Sequence, residues 1–468
     1  VQQIEMSTLD SFTQSSGARR AIRPTRAEAF FLLLMLAIPL ASSPPMQFHI
    51  VELPGAKFAN LVAAAFAISW IYDLSWRRRA FTRLERSALI VFLAYILVFV
   101  IAFARSIPNL GRLHGMDPDT FPASVMEYAL TSLAAPLVYA SMFVYVLQNT
   151  VASDSISRLL QAIAVSVFLL SCVVITAVAS RPETLNDTSR FAMAALTTDV
   201  LGLHYNSIGT IYIISGPVLL YLALKQGSFW SANYFIALLA VVLLESRTAL
   251  LIFVATGAAT AIAVGRARVL LTIMPLVVGV AVIAAGTLLV QLLTIGFTQH
   301  SGISLTTFLS ARDTQIWLPL IFEWWRDPQR FWFGAGEYGI LSSFLLYSGV
   351  VLAVAHSHNA YLDFFLDNGI VLEGLLLFAI GTFLFWSWRV GRRIKSQLYW
   401  VLFISVTAFL MAALTGRHFY PDQEDAFLFP ILAVMISVVR RQRPPKDEEI
   451  ATAAPKSQVV AQITRARD

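Results

Sequence analysis

A single cysteine, Cys172, in 468 residues leaves no intrachain disulfide and no Cys-based metal site to consider. Charge is also scarce. Asp, Glu, Lys and Arg make up 13% of the chain against 57% hydrophobic residues, and a soluble protein with so few charges would expose too much apolar surface. Gly334 and Gly336 permit a tight turn, yet no Lys-Ser/Thr pair follows and their spacing fits neither nucleotide fingerprint. No HExxH-type spacing accompanies His356 and His358, and zinc sites normally take more ligands than two histidines supply. No metal or other cofactor is therefore expected. Also missing are an internal repeat of the inverted-transporter kind and a nucleic-acid reading motif. The pI near 9.5 comes from arginines in short clusters beside apolar runs, as in cytoplasmic loops of membrane proteins.

What the chain does have is apolar runs, with a mean hydropathy of +0.69. They lie near 29–41, 58–73, 88–104, 127–147, 157–180, 201–224, 230–244, 249–264, 269–296, 360–388, 397–415 and 425–439. Each has, or nearly has, the roughly 20 residues that a helix needs to cross a bilayer. With the N-terminus inside, the dense basic clusters share one side: Arg77 to Arg79, Arg266 with Arg268, Arg389 to Lys395, and Arg440 to Arg443. The opposite loops carry mixed charge. This asymmetry predicts an all-α polytopic membrane protein of about twelve helices with both termini cytoplasmic.

The expected organisation is a cytoplasmic tail over 1–26, spans over 27–296, a long external loop over 297–358, further spans over 359–440, and a disordered tail over 441–468. Tyr338 to Ala355 is apolar enough to be a further span. Counting it would turn the Arg389 to Lys395 cluster outward, so the stretch is expected to lie on the membrane face or fold back into the bundle.

Polar residues in such a chain need a reason. Arg247, in Glu245-Ser246-Arg247-Thr248, stands between two closely spaced apolar helices. It either snorkels to headgroups or offers its planar donor fork to an anion. In the long loop, Arg312, Trp317, Trp324, Trp325, Arg326, Arg330 and Trp332 suit a water–hydrocarbon interface, and the flat indole rings also suit sugars. The run from Ser357 to Gly369 precedes an apolar helix. Ser357 or Asn359 can cap that helix, Asp363 suits its positive end, and Asn368-Gly369 should break it. Capping explains His358 poorly.

Taken in order, Ser246-Arg247-Thr248, the loop with Arg312 and Trp317 leading to Asp327-Pro328 and Gly334-Ala335-Gly336, and then His358-Asn359-Ala360-Tyr361-Leu362 resemble the bacterial O-antigen ligase and O-antigen polymerase superfamily. The resemblance covers roughly 200–390. It implies a GT-C-like fold and a metal-independent, inverting glycosyltransferase in the bacterial inner membrane, with its active site facing the periplasm. The donor implied is a polyprenyl-pyrophosphate-linked glycan, and the acceptor a hydroxyl of a glycan or of lipid A-core. By position, Arg247 and Arg312 would hold the pyrophosphate, and His358 would orient or deprotonate the acceptor; an unperturbed imidazole titrates at about pH 6.5 and suits a base. Asn359, Tyr361, Trp317, Arg326, Arg330 and His204 are candidates for substrate contact. Leu372 and Glu373 precede Gly374 where the ligases carry a Gly-Thr-Gly-like run, which favours a polymerase of surface or exported polysaccharide over a ligase. Membrane lipids and a chain-length regulator are the expected partners, and nucleic acid is not. The competing class is a transporter or flippase, which wants ionisable groups inside the spans. The sequence offers few, with His204 and Asn206 the nearest.

Overall fold

A computed structural model describes residues 25–47, 58–76, 81–116, 121–149, 153–186, 191–266, 316–348, 356–416 and 419–442. The described helices begin with α1 (Arg26–Ala37), α2 (Phe58–Trp76), α3 (Arg83–Ser106), α4 (Leu110–Met116), α5 (Val125–Ala129) and α6 (Ala135–Asn149). Next come α7 (Ser153–Ser180), α8 (Phe191–Leu201), α9 (Tyr205–Gln226), α10 (Ser228–Leu243) and α11 (Arg247–Ala263). The remainder are α12 (Leu318–Arg326), α13 (Pro328–Phe333), α14 (Phe344–Tyr347), α15 (Ala360–Ile394), α16 (Gln397–Ala412) and α17 (Leu428–Arg441). No strand occurs among the described residues. The helical stretches Arg83–Gly115, Val125–Asn149, Asp154–Ser180, Tyr205–Gln226 and Ala360–Ile394 are long and apolar enough to cross a membrane. Shorter apolar helices accompany them, among them Arg247–Ala263 and Gln397–Ala412. The expected span 269–296, loop residues 297–315 and all of both tails except residues 25–26 and 441–442 lie outside the described residues.

Local chemistry sets the helix starts. Thr82 and Glu85 form a reciprocal capping box on α3, the Thr82 amide donating to Glu85 Oε2 at 2.8 Å. Glu85 is fully buried there and pairs with Arg440 at 3.3 Å. The apolar run 201–224 is not one helix. Gly202 turns the chain at φ +65°, where a Cβ would sit 2.1 Å from the Ser42 carbonyl oxygen, so α8 stops and α9 restarts behind His204. Helix α9 is the centre of the bundle, apolar on all sides and packed against α7, α10, α11 and α16.

Side-chain bonds at the helix ends sort into two sets. One joins Arg158 to Glu28, Arg440 to Glu85, Trp70 to Gln148, Gln161 to Gln226, and Gln397 to the Val264 carbonyl. The other joins Ser42 to Gln423, Asn206 to Ser246, Trp317 to the Ser357 carbonyl, and Arg112 to the Leu341 carbonyl. Segments that the charge pattern groups together therefore meet one another. A second apolar core lies at the latter end, where Ile316, Leu320, Trp324, Ile340 and Leu341 of the loop pack on Phe103, Tyr128, Leu362 and Phe365. The described part of Tyr338 to Ala355 is thus folded within the loop, Gly339–Ser342 and α14 making short turns with Ile340 and Leu341 buried.

Candidate functional site

Helix α15 opens as its sequence suggests. Asn359 caps it, Oδ1 accepting the Tyr361 and Leu362 amides at 3.1 and 3.3 Å. The Ser357 amide donates to Asp363 Oδ1 at 2.8 Å, and the Ser357 carbonyl accepts the Trp317 indole N–H at 2.9 Å. The Ala360 amide donates to the Ala413 carbonyl at 2.8 Å. Between these fastened neighbours His358 sits at φ +58°, a left-handed backbone that costs an L-residue about 1–2 kcal/mol. Its half-buried ring lies 4.3 Å from that of His356, tilted by 70°. Strain of this kind persists only where the surroundings over-determine it.

The structure gives three of the predicted contact residues positioning work around His358. Asn359 is the cap, Trp317 holds the Ser357 carbonyl, and the Tyr361 hydroxyl donates to the Leu410 carbonyl at 3.1 Å while its ring meets Phe419 edge-on. The rings of Trp317 and Tyr361 remain half-exposed.

Arg247 and His204 form a second group. Arg247 is exposed at the first position of α11, following Glu245 at φ +54°. His204 caps α9, Nδ1 accepting the Asn206 amide at 3.3 Å, and Ser246 Oγ donates to Asn206 Oδ1 at 3.0 Å. The two groups border one helix end. Gln397 at the start of α16 bonds the Val264 carbonyl just past α11 at 3.0 Å, so the two packed helices run antiparallel. With 17 and 16 residues they match in length. Arg247 is thereby carried to the end of α16 at which Ala413 receives Ala360. Arg312 lies outside the described residues.

Arg330 is drawn into the loop's own framework. It pairs with Glu323 at 3.2 Å and Asp327 at 3.3 Å, donates to the Ser342 carbonyl at 3.2 Å, and lies 5.3 Å from the Trp324 ring centre. Arg326 is exposed at the end of α12.

What sequence reasoning overlooked is how the loop meets α15. At Gly369 (φ +80°, ψ 174°) that helix is broken, and the Gly334-Ala335-Gly336 turn fills the break. The Ala335 and Gly336 amides each donate at 2.9 Å, to the Leu366 and Asp367 carbonyls, and the Gly339 amide donates to Asp367 Oδ1 at 2.6 Å. Arg105, from the end of α3, donates to the Phe333 and Gly334 carbonyls. Asn368 Nδ2 donates to the Tyr420 hydroxyl at 2.6 Å.

Glu337, in the same turn, is buried, and the Tyr128 hydroxyl donates to it at 3.2 Å. Burial, with a smaller contribution from Asp422, pushes its carboxyl up from 4.5 to about 8, against the lowering effect of the Tyr128 bond. A raised folded-state value means that the unfolded chain loses this proton first. Stability should therefore fall as pH rises from about 4.5 to about 8, by an amount on the order of a few kcal/mol. Thermal melting in detergent tests this: the wild type should melt lower at about pH 8.5 than at about pH 5, and Glu337→Gln should lessen the difference. An unchanged slope in the variant would remove Glu337 as its source.

Comparison with protein-family models finds no match, and comparison with curated proteins finds none either.

Proposed function

We propose that the chain is a polytopic membrane glycosyltransferase of the O-antigen ligase and polymerase kind, with about twelve spans and a GT-C-like fold. It transfers a glycan from polyprenyl pyrophosphate to an acceptor hydroxyl on the periplasmic face of the bacterial inner membrane, polymerising repeat units of a surface or exported polysaccharide. The observation that carries this reading is His358. Its backbone is strained while Ser357, Asn359 and Ala360 around it are each committed to hydrogen bonds. An imidazole held so can orient and deprotonate a hydroxyl. Arg247, at the neighbouring helix end, and Arg312, by the resemblance alone, neutralise the departing pyrophosphate, an effect worth on the order of 10²–10³ in rate per well-placed donor.

The deciding experiment incubates purified protein with a lipid-linked oligosaccharide. A ladder of products is expected. Transfer only to added lipid A-core would make it a ligase instead, and no consumption of donor under either condition would end the enzyme reading. Arg247→Lys keeps the charge and loses the fork. We expect it to turn over about 10²-fold more slowly, and unchanged turnover and donor affinity would return Arg247 to a headgroup contact.

One observation favours the transport alternative. A discontinuous helix with buried Asp363, Asp367 and Glu373 has the outline of a coupling-ion site. Against it, the carbonyls freed by the break at Leu366 and Asp367 already accept loop amides. Ion-driven flux of a glycolipid into proteoliposomes, with no bond broken in the donor, would establish transport.

A further inference from the structure

The loop carries an apolar surface that the chemistry above does not use. On α12, Leu318, Ile321, Phe322 and Trp325 recur at the spacing of one helical face and are exposed, while Leu320 and Trp324 on the opposite face are fully buried in the second core. Phe322 is 60% and Trp325 66% exposed, as is Phe333 at 64% at the end of α13. These are the residues that a water-facing loop would be expected to bury.

Their position says what covers them. Trp332 and Phe333 lie against the break in α15: a Cβ on Gly369 would come within 2.3 Å of the Trp332 carbonyl oxygen and 2.5 Å of the Phe333 amide nitrogen. Just beyond Gly369, α15 continues as one of the helices of spanning length and exposes Val371, Leu375 and Phe378. The exposed face of the loop is thus continuous with the exposed apolar face of a membrane-length helix. Its composition suits the same solvent, since aromatic rings favour the headgroup level and Arg326, exposed at the end of α12, can reach a phosphate.

We propose that α12 and α13 lie in the bilayer interface, with the ridge from Leu318 to Trp325 and the rings of Trp332 and Phe333 at the boundary between headgroups and acyl chains. Arg326 contacts lipid phosphate. This assignment stands independently of the enzymatic reading. One consequence rests on that reading: Trp317, the residue before α12, bonds the Ser357 carbonyl, so an embedded α12 sets His358 at the depth of the headgroups, where the pyrophosphate of a polyprenyl donor lies.

The single cysteine makes the test direct. In a Cys172→Ala background, nitroxide labels are placed by Phe322→Cys, Trp325→Cys and Phe333→Cys, with Phe378→Cys as the acyl-chain reference and Gln329→Cys, on the exposed polar side of α13, as the aqueous reference. The full chain is reconstituted in vesicles of phosphatidylethanolamine and phosphatidylglycerol, and collision with oxygen is compared with collision with a water-soluble nickel chelate. The three labels should favour oxygen several-fold, as Phe378→Cys does, with Gln329→Cys reversed. Nickel accessibility like that at Gln329 would overturn the proposal, and so would shielding from both reagents, which would mean that protein covers the face. Glycan transfer is scored separately on the unlabelled wild type, so failure of one reading does not imply failure of the other.

Discussion

Replacing His358 with alanine should leave a folded, membrane-inserted protein that transfers glycan about 10²–10⁴-fold more slowly, the range that positioned proton transfer supplies. The neighbouring hydrogen bonds that fix the helix start come from Ser357, Asn359 and Ala360, so the imidazole is removed from an intact frame. Asparagine is the informative companion, because it tolerates a left-handed backbone better than most residues and keeps a polar side chain without a usable base. His358→Asn should melt like the wild type and still lose transfer. Near-normal turnover in both variants would take His358 out of the mechanism. A loss of folding in alanine but not in asparagine would assign it to the backbone alone if the asparagine variant also stayed active.

The largest effect on stability should come from Gly334→Ala. Gly334 holds φ +69°, and a Cβ there would fall 2.2 Å from the Asp367 carbonyl carbon. Main chain cannot yield as a side chain can, so the turn must leave the break in α15. The left-handed strain of about 1–2 kcal/mol then adds to the loss of several hydrogen bonds at about 1 kcal/mol each. The expected total is roughly 4 kcal/mol or more, read as a collapse of the melting transition in detergent or rapid proteolysis of the loop. Gly374→Ala is the matched control on α15, since a Cβ added there would meet no atom within 4 Å. Equal melting of the two variants would show that the turn does not depend on this fit.

The parts of this architecture that are legible in the chain alone depend on near neighbours. The Asn359 cap, the break at Gly369 and the turns at Gly334 and Gly336 each follow from one residue's own chemistry and its next few amides. Helix ends that the charge pattern groups together also bond one another, as Arg158 does with Glu28 and Arg440 with Glu85. Distant pairings leave no such mark. Arg330 reads as a ligand-binding arginine until Glu323 and the Ser342 carbonyl are seen around it, and nothing near Arg105 announces that it serves carbonyls at Phe333 and Gly334. Glu337 escapes notice because a lone carboxylate in a loop ordinarily faces water. The division between α8 and α9 is hidden inside an apolar run, since only the approach of Ser42 gives Gly202 its role.

The seam between the loop and α15 is stitched mainly by main-chain donors and acceptors from Ala335, Gly336, Leu366 and Asp367. Those main-chain bonds do not read side chains, although Asp367, Arg105 and Trp324 add side-chain bonds beside them. Outside the glycines and the buried Leu320 and Trp324, substitutions on the exposed side of α12 to α14 should therefore leave the loop in register with the helix that carries His358. Where the loop sits is thus written in the backbone, and its outer side chains are left open to change without moving it.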